Sequence, residues 1–209
     1  MMDVIKRVNS KGFLLLYLAV FACLLAILVF QQRMTEKDER EIPAELAAFI
    51  VSPPGHLPQF LLYSTEREVL TDQSLRGKWS FIYFSQPDCT PECEVVFSVL
   101  DNLKQLSATN RRQFLVINFD SEQATATIPA ANGLPVYSGD KSMLAKLEEA
   151  FAFLYLRTDF AEHYQLEQQH SIFLTDPKGQ VYARFEPPFT SLQLQQTFFQ
   201  LRDFYARTE

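Results

Sequence analysis

Two absences narrow the class of this protein. The 209-residue chain has a formal net charge of −6 and no basic block, only scattered pairs such as Arg111 and Arg112. Because phosphate binding requires a clustered basic surface, the sequence argues against nucleic acid as a partner. The chain also lacks internal repeats and low-complexity tracts. Its hydrophobic fraction of 47%, with 19 Phe, can form a substantial core and argues against a disordered chain.

The N-terminal region lacks charge over a long stretch. Residues 12–30 contain no Asp, Glu, Lys or Arg, and basic residues flank both ends. A helix rises about 1.5 Å per residue, so this stretch reaches roughly the 30 Å thickness of the hydrocarbon layer. No small-x-small cleavage site follows it. The stretch is therefore predicted to be an uncleaved transmembrane signal anchor, in which Cys23 is a lipid-facing or packing thiol.

The anchor divides the chain. A short basic tail before an apolar run is typical of a tail that stays inside the cell, so residues 1–11 are predicted to be a cytoplasmic tail. Residues 31–53 are predicted to be a linker with one short helix, and residues 54–209 a folded domain. The protein would be a single-pass protein of the inner (cytoplasmic) membrane, bound to lipid through its anchor. The folded domain would face the periplasm or another extracytoplasmic side.

Beyond the linker, short apolar runs alternate with helical patterns. The runs at 79–84 and 114–119 are continuously apolar, as in strands covered on both faces. A helix pattern follows each run and places Leu106 and Leu154 on buried faces. A polar turn joins two further strands before a last helix, which Thr190 or Ser191 caps. This order predicts an α/β, thioredoxin-like domain. Residues 59–63 and 68–70 are predicted to form a hairpin. Residues 171–175 and 181–185 are predicted to be the two strands that the polar turn joins.

Two of the only three cysteines lie four residues apart, in the stretch FSQPDCTPEC. The sequence predicts Thr90 as the N-cap of a helix, Pro91 at its first position and Cys93 at its third. The positive end of the helix stabilises a thiolate at Cys93. With Cys89 on the loop, the two sulfurs can form a disulfide or hold one soft metal ion. A structural disulfide or two incidental thiols is the alternative.

The motifs together resemble those of the Sco (SCO1/SenC) family, membrane-anchored thioredoxin-fold proteins that carry copper to cytochrome c oxidase. Tyr83-Phe84 is followed, after the four residues 85–88, by Cys89-x-x-x-Cys93. His170-Ser171 and Asp176-Pro177-Lys178-Gly179 are similar to the family's downstream motifs. One departure is that the family usually has Cys-Pro-Asp-x-Cys-Pro. Here the Pro-Asp pair precedes the first cysteine, and Glu94 replaces the second proline.

The resemblance implies a copper ion bound by Cys89, Cys93 and His170, in a metallochaperone rather than an enzyme. Cu(I) is soft and prefers thiolates, and imidazole is an acceptable third ligand. The implied partners are a cytochrome c oxidase subunit that carries a copper site, and other copper carriers or thiol reductants. His56 and His163 are predicted to be surface residues.

Two other classes of function remain open. The pair Cys89 and Cys93 could serve a thiol-disulfide oxidoreductase or a peroxiredoxin-like thiol peroxidase. The pattern Pro87-x-x-Thr90-x-x-Cys93 is close to the peroxidase motif, but its proline is displaced by one residue and no activating arginine is evident. The third class is a membrane-tethered assembly factor that uses the fold only for contacts.

Overall fold

The computed structural model describes residues 16, 18–27, 41–89, 91–106, 111–126, 128, 131 and 133–208. The chain forms two compact units, one of residues 1–43 with 203–209 and the other of residues 44–202.

In the smaller unit, residues 18–27 are helical and the Cys23 side chain is exposed. Within the part of the chain that the structure describes, no helix has both the length and the apolar character needed to cross a membrane. The predicted cytoplasmic tail, both ends of the predicted anchor 12–30 and residues 31–40 of the predicted linker lie outside the described residues. The anchor and the tail stay predictions.

The larger unit is built on an eight-stranded sheet with the order β1-β10-β9-β4-β5-β6-β2-β3, and β7 and β8 form a separate two-stranded hairpin. The strands are β1 (Ile50–His56), β2 (Leu61–Ser64), β3 (Val69–Thr71), β4 (Trp79–Ser85), β5 (Arg112–Asn118), β6 (Val136–Ser138), β7 (Tyr155–Asp159), β8 (Tyr164–Gln168), β9 (Ile172–Thr175) and β10 (Gln180–Phe185). The helices are α1 (Ala44–Ala47), α2 (Asp72–Leu75), α3 (Glu92–Gln105), α4 (Lys141–Phe151) and α5 (Ser191–Thr208).

Strand β4 is the central strand that carries the chain to the cysteines. It pairs in parallel with β5 and antiparallel with β9, and all seven of its residues are buried. The continuous apolar run therefore has both faces covered, as predicted. The order β4-α3-β5-α4-β9-β10-α5 confirms the predicted α/β class and the predicted alternation of strands and helices.

Aromatic rings fill the core around β4. The ring of Phe84 stacks on Phe153 at a centroid distance of 4.6 Å, and Phe151 and Phe173 meet it edge-on. On the other side, Phe81 stacks on Phe114 at 5.0 Å. Each such ring buries a large apolar area, so these packed rings fix the position of the strand end at which the site lies.

Two predicted buried positions are wrong. Leu106 is 52% exposed and Leu154 is 68% exposed. Helix α3 ends before Leu106, which takes the C-cap position. Helix α4 ends at Phe151, and its C-cap residue Ala152 has a left-handed φ of 50°. Both leucines therefore lie past the last helical residue, where the helical periodicity that predicted their burial no longer applies.

Three regions of strand are additional to the prediction. Residues 50–53 of the predicted linker belong to β1, which pairs with β10 at the sheet edge. Strand β6 joins β5 to the predicted hairpin of β2 and β3. The β7–β8 hairpin was also missed, and it leads directly to His170.

Candidate metal centre

The cysteine loop follows β4 and enters α3. Pro91 is the N-cap residue, with φ −89° and ψ −7°, and α3 begins at Glu92. The predicted helix start is therefore one residue too early, and Cys93 is at the second helical position; Thr90 lies outside the described residues. Pro91 makes no side-chain capping bond, and among the described residues loop carbonyls accept the first amides: the Cys93 N–H donates to the Cys89 oxygen at 3.1 Å.

A disulfide joins Cys89 to Cys93. Their Cα atoms are 5.6 Å apart, within the usual range of about 4.4–6.8 Å for a disulfide. Cys89 is 7% exposed and Cys93 1% exposed, so Cys89 is the more accessible residue of the pair.

His170 lies two residues before β9 and completes a group of three candidate ligands. The ligand atoms of Cys89, Cys93 and His170 all lie within 4.8 Å of one another. It is the one such group of His, Cys, Asp and Glu side chains found among the described residues. His56 and His163 are exposed, as predicted.

Tyr83 is the residue that the sequence reasoning missed. It is fully buried in β4, and its hydroxyl lies 3.0 Å from Cys93 Sγ and 2.8 Å from His170 Nδ1. The Gln168 Nε2 donates to the same hydroxyl at 3.2 Å. A signal was present in the sequence, since a tyrosine in a fully buried strand requires a hydrogen-bond partner for its hydroxyl.

Burial sets the protonation of the groups around the sulfurs. It raises the pKa of Tyr83 far above its ordinary value, and the nearby Glu92 carboxylate raises it further, so the hydroxyl keeps its proton. Burial also lowers the pKa of His170, and Glu92 opposes that shift. A neutral imidazole has a nitrogen lone pair that can bind a metal ion or accept a hydrogen bond.

A cavity of about 500 Å³ opens onto Cys89 and His170. Among the described residues, its lining carries the carboxylates of Asp88, Glu92 and Glu167 and no Lys or Arg. The mouth of the site is therefore negatively charged. A larger cavity of about 960 Å³, next to β2 and β6, contains none of the three candidate ligands.

The β7–β8 hairpin forms one wall of the cavity of about 500 Å³ that opens onto Cys89 and His170. Polar contacts hold the hairpin in place. The Tyr164 hydroxyl donates to Asp120 Oδ2 at 2.7 Å. Arg157 pairs with Glu122 at 2.6 Å and lies over the Tyr164 ring, with its guanidinium carbon 4.1 Å from the centroid. These contacts join the hairpin to the loop after β5. Gln123 extends them to the cysteine loop through a 3.3 Å hydrogen bond to Asp88.

An α/β domain of this topology, with paired cysteines at the start of its first long helix and a histidine before β9, defines a thioredoxin-like protein with a Cys-Cys-His site. The SCO1/SenC family model matches residues 52–199. The chain belongs to the SCO1/SenC family.

Solved structures show the same fold. Arabidopsis thaliana ScoI with copper bound is 16% identical, with a TM-score of 0.57 over 70% of this chain and 97% of that chain. Bradyrhizobium japonicum ScoI with copper bound is 20% identical, with a TM-score of 0.53 over 70% and 98%. BsSco, described with a disulfide switch as a member of the Sco family of cytochrome c oxidase assembly proteins, is 13% identical, with a TM-score of 0.51 over 75% and 95%. A search of curated proteins gave no match.

Proposed function

We propose that the reduced protein binds one copper ion through Cys89, Cys93 and His170. It would deliver that copper to the copper site of cytochrome c oxidase during assembly, or maintain the thiols of that site. The observation that carries the proposal is the approach of the three candidate ligand atoms to within 4.8 Å of one another. Two solved relatives with copper bound, and a third described as a cytochrome c oxidase assembly protein, support it.

The ligand set suits a carrier of Cu(I). Thiolates supply most of the affinity for this soft ion, and imidazole adds a third ligand. A site with three ligands leaves room for a partner's thiolates to displace them one by one. The disulfide must first be opened, for which a dithiol reductant supplies two electrons and two protons. Copper then displaces the two thiol protons.

The same proposal places the protein in the inner membrane, with the folded domain on the extracytoplasmic side. Its support is the uncharged stretch 12–30, the basic tail before it and the helical conformation of residues 18–27. An extracytoplasmic compartment permits disulfides, which agrees with a cysteine pair that cycles between the bonded and the reduced form.

A second candidate function is thiol-disulfide exchange. The bond between Cys89 and Cys93 favours it, because Cys89 faces the cavity and a partner's thiolate could attack it there. The two functions are compatible, since a protein that maintains the thiols of a copper site performs this exchange. Catalytic turnover of peroxide would instead identify a thiol peroxidase.

The decisive experiment is an anaerobic titration of the reduced full-length protein, in detergent, with Cu(I). We expect one tightly bound ion per chain in the reduced protein and none in the disulfide form. The variant Cys23→Ser is the matched control, because it removes the one cysteine outside the site and should bind like the parent. Reduced protein that binds no copper would contradict the proposed function.

A further inference from the structure

The hydroxyl of Tyr83 contacts two of the three proposed copper ligands, and its proton can serve only one of them. A phenol donates one hydrogen bond and accepts up to two. The Gln168 amide takes one acceptor position, at 3.2 Å. Cys93 Sγ, at 3.0 Å, carries no proton in the disulfide and can only accept. His170 Nδ1, at 2.8 Å, can accept or donate.

In the disulfide form, the imidazole is the stronger acceptor. A sulfur atom is a weak acceptor, whereas the unprotonated nitrogen of an imidazole accepts strongly. The separation of 2.8 Å between the Tyr83 oxygen and His170 Nδ1 is that of a good hydrogen bond. The hydroxyl proton is therefore directed to Nδ1, whose lone pair it occupies, and the ring proton of His170 is on Nε2.

The acceptor strengths reverse when the cysteines bind copper. The sulfur of Cys93 is then a thiolate, and hydrogen bonds to ionised acceptors are roughly twice as strong as neutral ones. Since the hydroxyl already lies 3.0 Å from this sulfur, a rotation about the C–O bond is enough to redirect its proton. The hydroxyl then no longer holds Nδ1, and the imidazole ring can turn away from the Tyr83 oxygen to offer its lone pair to copper.

We propose that Tyr83 is a positioning residue for the third ligand. Its hydroxyl holds His170 Nδ1 while Cys89 and Cys93 are a disulfide, and turns to the Cys93 sulfur when copper arrives. The imidazole is thus kept next to the sulfurs, and it is released for copper only when the thiolates are present. This inference rests on the proposed function and adds to it a residue that binds no copper itself.

The first test needs no metal. Full-length protein labelled with ¹⁵N-histidine is observed by NMR in its disulfide form, and the His170 signals are assigned with His170→Ala. We expect a protonated Nε2 and an Nδ1 that accepts a hydrogen bond. Tyr83→Phe should move the Nδ1 resonance toward that of an imidazole with a free Nδ1. Tyr137→Phe, whose hydroxyl contacts Glu68 instead, is the control and should not.

The second test uses copper alone. Competition of the reduced protein with a Cu(I) chelator should show Tyr83→Phe binding about 10- to 100-fold more weakly, the usual effect of losing a group that orients a metal ligand. In the Cu(II) form, loss of the hydrogen bond to the thiolate should move the sulfur-to-copper charge-transfer band to longer wavelength. Tyr137→Phe should match the parent in both measurements.

Two results would overturn the inference. One is a protonated Nδ1 in the disulfide form of the parent. The other is a Tyr83→Phe variant that equals Tyr137→Phe in copper affinity and in the charge-transfer band. If no form of the protein binds copper, the proposed function fails instead, while the ring-nitrogen signals still report whether Tyr83 holds His170.

Discussion

The side chain of Gln168 donates to the backbone oxygen of Phe84 at 2.6 Å, which ties the end of β8 to the end of β4. Phe84 is the penultimate residue of β4, before the chain enters the cysteine loop, and Gln168 is two residues before His170. One amide group therefore fixes the relative position of the two segments that carry the proposed ligands. The polar side chain acts where no strand pairing joins β8 to β4.

Substitution of Gln168 by Ala should weaken both the domain and the site. The variant loses its hydrogen bonds to Phe84 and Tyr83 and leaves a buried carbonyl unpaired, which costs about 1–3 kcal/mol. Urea denaturation followed by the fluorescence of Trp79, the one tryptophan, measures the free energy of unfolding. Gln165→Ala, at an exposed position of the same strand, is the control. Equal unfolding free energies for the two variants would contradict the role of Gln168.

The three proposed ligands should contribute unequally to copper binding. Cys89→Ser or Cys93→Ser leaves one thiolate and should abolish tight binding. His170→Ala should weaken Cu(I) binding and leave a two-sulfur site, while Cu(II), which prefers nitrogen ligands more, should suffer the larger loss. Anaerobic titration with each ion measures these affinities, and His163→Ala is the control. Parent-like binding by all three ligand variants would refute the copper-carrier function and favour a thiol enzyme.

Cys89 and Cys93 should interconvert between dithiol and disulfide, while Cys23 takes no part. Alkylation followed by mass analysis should show two fewer reactive thiols after mild oxidation, with the lost sites at these two residues. The Cys23→Ser variant should lose the same two. Persistent alkylation of both thiols after oxidation would show that the pair does not cycle.

The contact of Tyr164 with Asp120 should make stability depend on pH. Burial raises the pKa of Tyr164 above its ordinary value of 10.0, and the hydrogen bond to Asp120 raises it further. The unfolded chain therefore ionises first, so this contribution is complete below about pH 10 and declines as pH rises toward the folded pKa. Tyr164→Phe should be less stable than the parent at pH 7 by about 0.5–1.5 kcal/mol, because solvent partly screens this contact.

The difference in unfolding free energy between parent and Tyr164→Phe should shrink above pH 10. Other tyrosines also have raised pKa values, so only the comparison with this variant isolates Tyr164. Urea denaturation at pH 7 and above pH 10, read from Trp79 fluorescence, provides both values. A difference that is constant with pH would exclude the titration of Tyr164 as its source.

The orientation in the membrane can be tested with a reporter fused after Glu209. An enzyme that is active only outside the cytoplasm should be active in this fusion, because the basic tail before residue 12 is expected to stay inside. A second fusion carries a reporter active only in the cytoplasm. Activity of that second fusion would show that the folded domain faces the cytoplasm. The disulfide could then no longer be explained by an extracytoplasmic compartment.

Sequence reasoning predicted the parts of the site that are local. The cysteine spacing, the apolar run before it and the histidine before a later strand can all be identified from the sequence alone. The exact start of α3 was missed, because Thr90 is a better capping residue by type than Pro91. In the structure, the loop carbonyls of Cys89 and Pro91 accept amides of the first turn, which residue type alone does not reveal.

The parts that depend on distant contacts could not be predicted. All five residues of β7 are exposed, so neither face of the strand is buried against the core. Its sequence therefore lacks the alternation of apolar and polar residues that would predict a strand. Its position depends on contacts far away in the sequence, such as that of Arg157 with Glu122. Tyr83 looked like one more apolar residue of a buried strand. Its contact with His170, 87 residues away, appears only when the strands are assembled.

The burial of β4 also has a consequence for hydrogen exchange. Its backbone is bonded to β5 on one side and to β9 on the other, so we expect the amides of its centre to be among the slowest of the domain to exchange. The cysteine loop and the β7–β8 hairpin lie outside this sheet and can open locally. If the proposed function holds, we expect copper entry and thiol exchange to leave the backbone of β4 in place, so that the domain need not unfold for either.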